Sequence, residues 1–194
     1  MREQVRSVGA MVGLVWVMIG MSPAVEAEEP PARSGWSAGV ATAEITPKGP
    51  VWLAGYASRK TPSEGVLAPI FAKALALRDA EGGTVVIVAL DLVGVKRPLT
   101  DRVARMVSDR FGLPREAFTM VSSHTHCAPI PADTADRARA YGIDPESLQP
   151  NLEWTARLEE AIVEVVGRAL DSLRPASAGY GVGSCDFAMN RREP

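Results

Sequence analysis

Both histidines of this 194-residue chain, His124 and His126, fall in the stretch SSHTHCAPIPAD, separated by a single threonine. Imidazole changes charge nearest neutrality of all side chains and is the commonest metal ligand, so an H-x-H pair points to metal binding or proton transfer. In an extended segment alternate side chains share a face, which would set His124 and His126 on one side and Thr125 on the other. Two imidazoles could then face one metal ion. The plain alternative is a pair of hydrogen-bonded polar or core residues, and spacing alone leaves both readings open.

The elements around the pair decide where it sits. Residues 85–90, VVIVAL, form a continuous apolar run that reads as a strand buried on both faces. In LTDRVARMVSDRFGLP, Leu99, Val103, Met106, Val107 and Phe111 recur at helical spacing, with Gly112 as a stop signal and Pro114 beyond it. Residues 118–122 are a second short apolar run, so residues 85–122 read as strand, helix, strand, the crossover that joins parallel neighbours. The histidines therefore follow a parallel strand's carboxyl end, where open α/β sheets bind ligands. Asp91, ending the preceding strand, either orients a ligand histidine from behind or caps the following turn.

Earlier in the chain, WSAGVATAEIT is expected to be the first strand and residues 71–77 the second, with a turn at Gly82 and Gly83. Later, Leu158, Ala161, Ile162, Val165, Val166, Ala169, Leu170 and Leu173 form one helical stripe after an expected N-cap at Asn151. A glycine-rich strand, SAGYGVGSCDF, is expected next. Arg191 and Arg192 follow it, either to bind a carboxylate or other anion or to stand as solvated charges. The alternation of strand and helix predicts an α/β class, a mixed sheet with at least one parallel crossover and helices covering it.

A formal net charge of −2 argues against a nucleic-acid partner. Residues 1–27 carry a basic start, the apolar run VGAMVGLVWVMIGM and the small-residue site AVEA, the pattern of a secretory signal peptide. The alternative, an uncleaved anchor, suffers from a run shorter than the roughly 20 residues a spanning helix needs. The protein is thus expected to be secreted or periplasmic, with residues 28–35 a polar linker and residues 36–194 the folded domain. Export would permit a disulfide between Cys127 and Cys185; two independent buried thiols are the alternative.

In this order and spacing, AGVATAEITP, LAGYA at residues 53–57, VVIVALDLVG, SHTHCAP and NRREP resemble the N-terminal region of the neutral/alkaline, non-lysosomal ceramidase family. The resemblance runs from Gly39 to Pro194. It implies layered mixed β-sheets flanked by helices, with two sheets packed between them, as the first part of a larger ceramidase-like N-terminal domain. It also implies a zinc-dependent amidase that cleaves the N-acyl bond of ceramide, or of a similar N-acyl lipid, into fatty acid and sphingoid base. On that resemblance His124 is the Zn2+ ligand, and His126 is a neighbour that helps hold the polarised amide or the metal-bound water. Arg191 contacts the substrate or its carboxylate product. Gly55 and Tyr56 line the pocket, where a glycine lets substrate approach the backbone. Zinc suits a poor electrophile because it polarises the carbonyl or brings bound water to a pKa of about 7. Peripheral contact with a membrane surface is expected of an enzyme that meets such lipids.

Two departures qualify what the resemblance implies. Cys127 and Ala128 stand where the family has serine and glycine, and a thiol beside zinc invites oxidation or adventitious ligation. A catalytic zinc takes three protein ligands and an open position. The family draws a second histidine, a glutamate, a tyrosine and its catalytic serine segment from later sequence, and no histidine follows His126 here. The chain alone is therefore expected to be an incomplete domain, inactive, and poorly soluble through an exposed sheet edge or apolar face. The alternatives are a non-catalytic secreted α/β domain that binds lipid or a protein partner, and a metallohydrolase acting on a sugar or peptide amide.

Overall fold

Small residues decide how this chain packs. Strand β1 (Trp36–Glu44) turns Gly39, Ala41 and Ala43 to one face, and strand β2 (Phe71–Arg78) turns Ala72, Ala74 and Ala76 to the same face through the pairs Gly39 with Ala76, Ala41 with Ala74 and Ala43 with Ala72. The resulting flat strip lets a helix lie close against the sheet. In the computed structural model, which describes residues 35–56, 58–132 and 142–187, that helix is α2 (Gln149–Asp171). The leader, nearly all of the linker and Arg191 lie outside the described residues.

Five strands form one sheet in the order β4-β3-β2-β1-β5. Strand β3 (Thr84–Leu90) pairs antiparallel with β2 across a turn in which the Asp79 carboxylate accepts the amides of Glu81 and Gly83 at 3.0 and 2.7 Å. Helix α1 (Arg97–Phe111) then carries the chain over to β4 (Phe118–Ser122), which lies parallel to β3. Gly112, at φ 68°, ends α1 in the left-handed conformation that glycine adopts without steric cost. Strand β5 (Arg174–Ala176) closes the edge beside β1. The α/β class, the mixed sheet and the parallel crossover agree with the sequence reading.

Three local expectations are corrected. Strand β3 is not buried on both faces: Val86, Val88 and Leu90 are buried, but Val85 and Ile87 are 43% and 38% exposed. The cause is that α1 and α2 join one core with Val86, Val88, Leu90 and the β2 alanines, all on one side. The opposite side carries exposed Val40 and Val121 as well, an open apolar face. Helix α2 starts at Gln149, so Asn151 is not its N-cap but a fully buried residue of its first turn. The closing strand is the three-residue β5, and residues 177–187 form no regular element because glycines leave too few side chains to pack.

The buried stripe of α2, with Leu158, Ile162, Val165 and Val166, sits on the alanine strip. Each such side chain contributes roughly 1.5–3 kcal/mol by leaving water. The closeness is visible at Gly39, where an added Cβ would stand 2.0 Å from the Ala169 carbonyl oxygen. Arg168 and Ser172 extend the same seam by donating to the Thr42 and Val40 carbonyls at 2.8 and 3.2 Å. Arg102 of α1 meets Glu159 of α2 at 2.6 Å and fixes the two helices side by side. At the far edge of the sheet the Ser122 hydroxyl is buried with no hydrogen-bonding partner among the described residues.

Two stability outcomes follow from this packing. Gly39→Ala pushes a methyl into a helix backbone and should lower the free energy of unfolding by about 2–3 kcal/mol in a urea titration. Ser122→Ala removes an unsatisfied hydroxyl and should leave stability unchanged or raise it by about 1 kcal/mol in the same assay.

Candidate functional site

Past the ends of β3 and β4 the chain continues in loose register. The Ser123 amide donates to the Leu90 carbonyl at 3.0 Å and the His124 amide to Leu92 at 2.9 Å. His124 then departs from the extended conformation, with φ 63°. A left-handed residue with a side chain costs roughly 1–2 kcal/mol, and histidine is among the residues enriched there. The conformation is held by a second bond, from the imidazole Nδ1 to the Val93 carbonyl at 2.8 Å. A carbonyl only accepts, so Nδ1 carries the proton and, in the neutral ring, Nε2 keeps its lone pair free.

His126 follows through a turn in which the Thr125 hydroxyl accepts the Cys127 amide at 3.3 Å. The two imidazoles come together edge to face, their centroids 5.0 Å apart at 70°. The proximity is the one expected from the sequence, but its cause differs. A left-handed turn brings the rings together, where strand alternation had been expected to do so.

Gly55 and Tyr56 lie on the neighbouring segment. Leu53 bridges to Pro129, the Ala54 amide donates to the Ala128 carbonyl at 3.0 Å, and the Ile130 amide donates to Trp52 at 2.9 Å. This short ladder lays residues 52–56 against residues 126–130. At Gly55, φ is 99° and an added Cβ would stand 2.4 Å from Cγ of His126. A glycine is therefore required here by the histidine ring that fills the space a Cβ would take. Tyr56 packs edge to face on His126 with centroids 4.8 Å apart. Arg59 stacks over the Tyr56 ring at 4.9 Å and also donates to the Ala54 carbonyl. Sequence reasoning missed Arg59, because in this irregular segment no periodic spacing marks its contact with Tyr56.

The site is open to solvent: His124 and Tyr56 are exposed and His126 is half-buried. On the Thr125 and Cys127 side of the loop lies a cleft of about 640 Å³ walled by Pro47, Leu53, Leu67 and Ile70. Asp91 takes neither of the two roles expected of it, orienting a histidine or capping the following turn. Its carboxylate accepts the Phe71 amide at 3.0 Å and meets the Lys73 ammonium at 3.8 Å, tying the ends of β2 and β3 rather than orienting His124. Cys127 and Cys185 are both free thiols, and both are exposed, not buried as the no-disulfide reading expected. Cys185 lies in the irregular residues 177–187 and Cys127 on the turn after His126, where neither packs into the core.

Among the described residues, no group of three or more histidine, cysteine, aspartate or glutamate side chains could hold a metal ion. The two imidazoles alone are a partial donor set, short of the three protein ligands of a catalytic zinc site. The His124 geometry makes a spectroscopic prediction. Long-range 15N correlation of the two imidazoles should show neutral His124 with the proton on Nδ1 and a bare Nε2. A proton on Nε2 would show that the Val93 contact does not set the tautomer.

No protein-family model matches the chain, and neither does any curated protein. Solved structures do. The neutral ceramidase from Pseudomonas aeruginosa superposes with a TM-score of 0.57 at 22% identity over 73% of this chain. A structure described as a ceramidase complexed with C2 gives 0.56 and 23% over the same share. In each case the match spans 22% of the solved chain, about a fifth of its length. At these identities the likeness establishes a shared fold: the described sheet and its two helices are arranged as in part of a neutral ceramidase.

Proposed function

We propose that this chain is the histidine-bearing portion of a secreted zinc amidohydrolase that cleaves the N-acyl bond of ceramide or a similar N-acyl lipid. The observation that carries the reading is the His124 ring, with Nδ1 committed to the Val93 carbonyl and Nε2 free beside His126. A backbone acceptor behind the ring is the usual support of a metal-ligating histidine, since it fixes both tautomer and orientation. The fold likeness to part of the neutral ceramidases and the sequence resemblance across 39–194 support the same reading.

On this reading His124 supplies one ligand and the remaining ligands come from outside the described residues. Zinc, when bound, would supply Lewis acidity toward the amide carbonyl or acidify a water. Among the chain's own groups, His126 stands beside His124 to hold the amide oxygen or a water, and Tyr56 braces the His126 ring. Arg191 is assigned to the carboxylate of the fatty acid product, where a guanidinium binds in bidentate fashion. The leader at 1–27 would deliver the protein to the periplasm or the exterior, where it meets lipid at a membrane surface. Among the described residues no helix is long and apolar enough to cross a membrane.

The open apolar face with Val40, Val85, Ile87 and Val121 favours one rival, a secreted domain that binds lipid or protein without catalysis. Zinc titration of the 194-residue chain, followed through the two imidazole spectra with ceramide turnover measured alongside, separates the readings. The expected result is a zinc-dependent shift at His124 Nε2 that disappears in His124→Ala, with no ceramide hydrolysis by this chain alone. A zinc response that survives His124→Ala, or none in the parent chain, overturns the assignment. Hydrolysis by the chain alone overturns the statement that it is inactive.

A further inference from the structure

Two polar residues are fully buried among the described residues, Asn151 and Thr155, and both are on the first turns of α2. Neither serves the helix's own start, since Leu148 occupies the N-cap position and no side chain caps it. Asn151 instead faces the two loops of the histidine site. Its Oδ1 accepts the Trp52 amide at 2.9 Å, and its Nδ2 donates to the Trp52 carbonyl at 2.9 Å and to the Ile130 carbonyl at 3.0 Å. One primary amide thus engages both backbone groups of one residue, as a neighbouring strand would, and uses both of its donor hydrogens. Thr155, one turn on, accepts the Ala132 amide at 2.9 Å and donates to the Asn151 carbonyl at 2.7 Å.

We infer that Asn151 is a positioning residue for the imidazole pair. Trp52 lies three residues before Gly55, and Ile130 lies four after His126. The clamp therefore holds, from the rigid helix, the two backbones whose mutual register seats the His126 ring over Gly55 and against Tyr56. No other side chain satisfies this constellation. Aspartate has no donor for two carbonyls, an aliphatic residue leaves buried backbone groups unpaired, and glutamine places its amide one methylene too far. The helix contributes stiffness because its carboxyl-terminal end is locked onto the sheet, where Ala169 meets Gly39. The functional consequence rests on the proposed role of the histidines; the geometric claim does not.

The test compares three variants of the full chain: Asn151→Ala, Thr155→Val and, as a control of similar core disruption, Val107→Ala in the buried stripe of α1. The readouts are the nuclear Overhauser contact between the Tyr56 and His126 rings, the two imidazole spectra, and unfolding by urea. Asn151→Ala is expected to abolish the ring contact and shift the His126 resonances. Thr155→Val should weaken the contact, and Val107→Ala should leave it intact at comparable loss of stability. If Asn151→Ala does not fold, Thr155→Val against Val107→Ala decides the matter alone. An unchanged ring contact in the clamp variants overturns the inference, and so does equal loss in the control. Failure of the parent chain to respond to zinc would instead strike the proposed function and leave this geometry standing.

Discussion

The contact between the backbone of α2 and the glycine of β1 is the constraint on which the rest depends. A helix normally rides on a sheet at the height of its side chains. Here the strip of glycine and alanine on β1 and β2 lowers α2 until the Ala169 carbonyl occupies the space a Cβ of residue 39 would take. Small residues on the sheet are matched by large ones on the helix, as close packing of the core requires. Such packing is intolerant of added volume, which gives α2 one seat and makes it a fixed reference for everything it touches.

What it touches at its amino end is the candidate site. Among the described residues, the loops at residues 50–56 and 126–132 are joined through their backbones by two hydrogen bonds, from Ala54 to Ala128 and from Ile130 to Trp52, which together make the bridge of Leu53 with Pro129. Loops of this kind do not set their own geometry to the precision that chemistry needs. Asn151 and Thr155 supply that precision by offering them hydrogen bonds from a helix already committed to the sheet. Burial of two polar side chains is costly unless their hydrogen bonds are made, and here all of them but the Thr155 bond to the Asn151 carbonyl go to loop backbone. The left-handed His124 follows the same logic, its strain offset by two bonds to residues 92 and 93.

The arrangement also explains why the sheet has two unlike faces. One is consumed by α1 and α2, while Val40, Val85, Ile87 and Val121 face solvent on the other. A run as apolar as VVIVAL suits a strand covered on both sides, and only the side toward the helices is covered among the described residues. The match to about a fifth of the length of the solved ceramidases is consistent with a fold whose sheet is normally seen in larger company.

Much of this was legible in the residues. Periodicity placed β2, β3, β4 and α1 to within about two residues, because strand and helix patterns are local and were not in conflict with tertiary forces. The H-x-H pair and its location past a parallel strand were likewise readable, and the family resemblance pointed to Gly55 and Tyr56. Asn151 was misread as a cap because asparagine before an apolar stripe has that meaning in isolation. Its real partners, Trp52 and Ile130, are 99 and 21 positions away. The Val93 carbonyl behind His124 left no trace in the sequence, since backbone acceptors are the same at every residue. The sequence by itself determined which elements form and which side chains could do chemistry. Only the tertiary structure decided the tautomer of His124, the purpose of Gly55 and the duty of Asn151, because each depends on a long-range contact that local pattern does not encode.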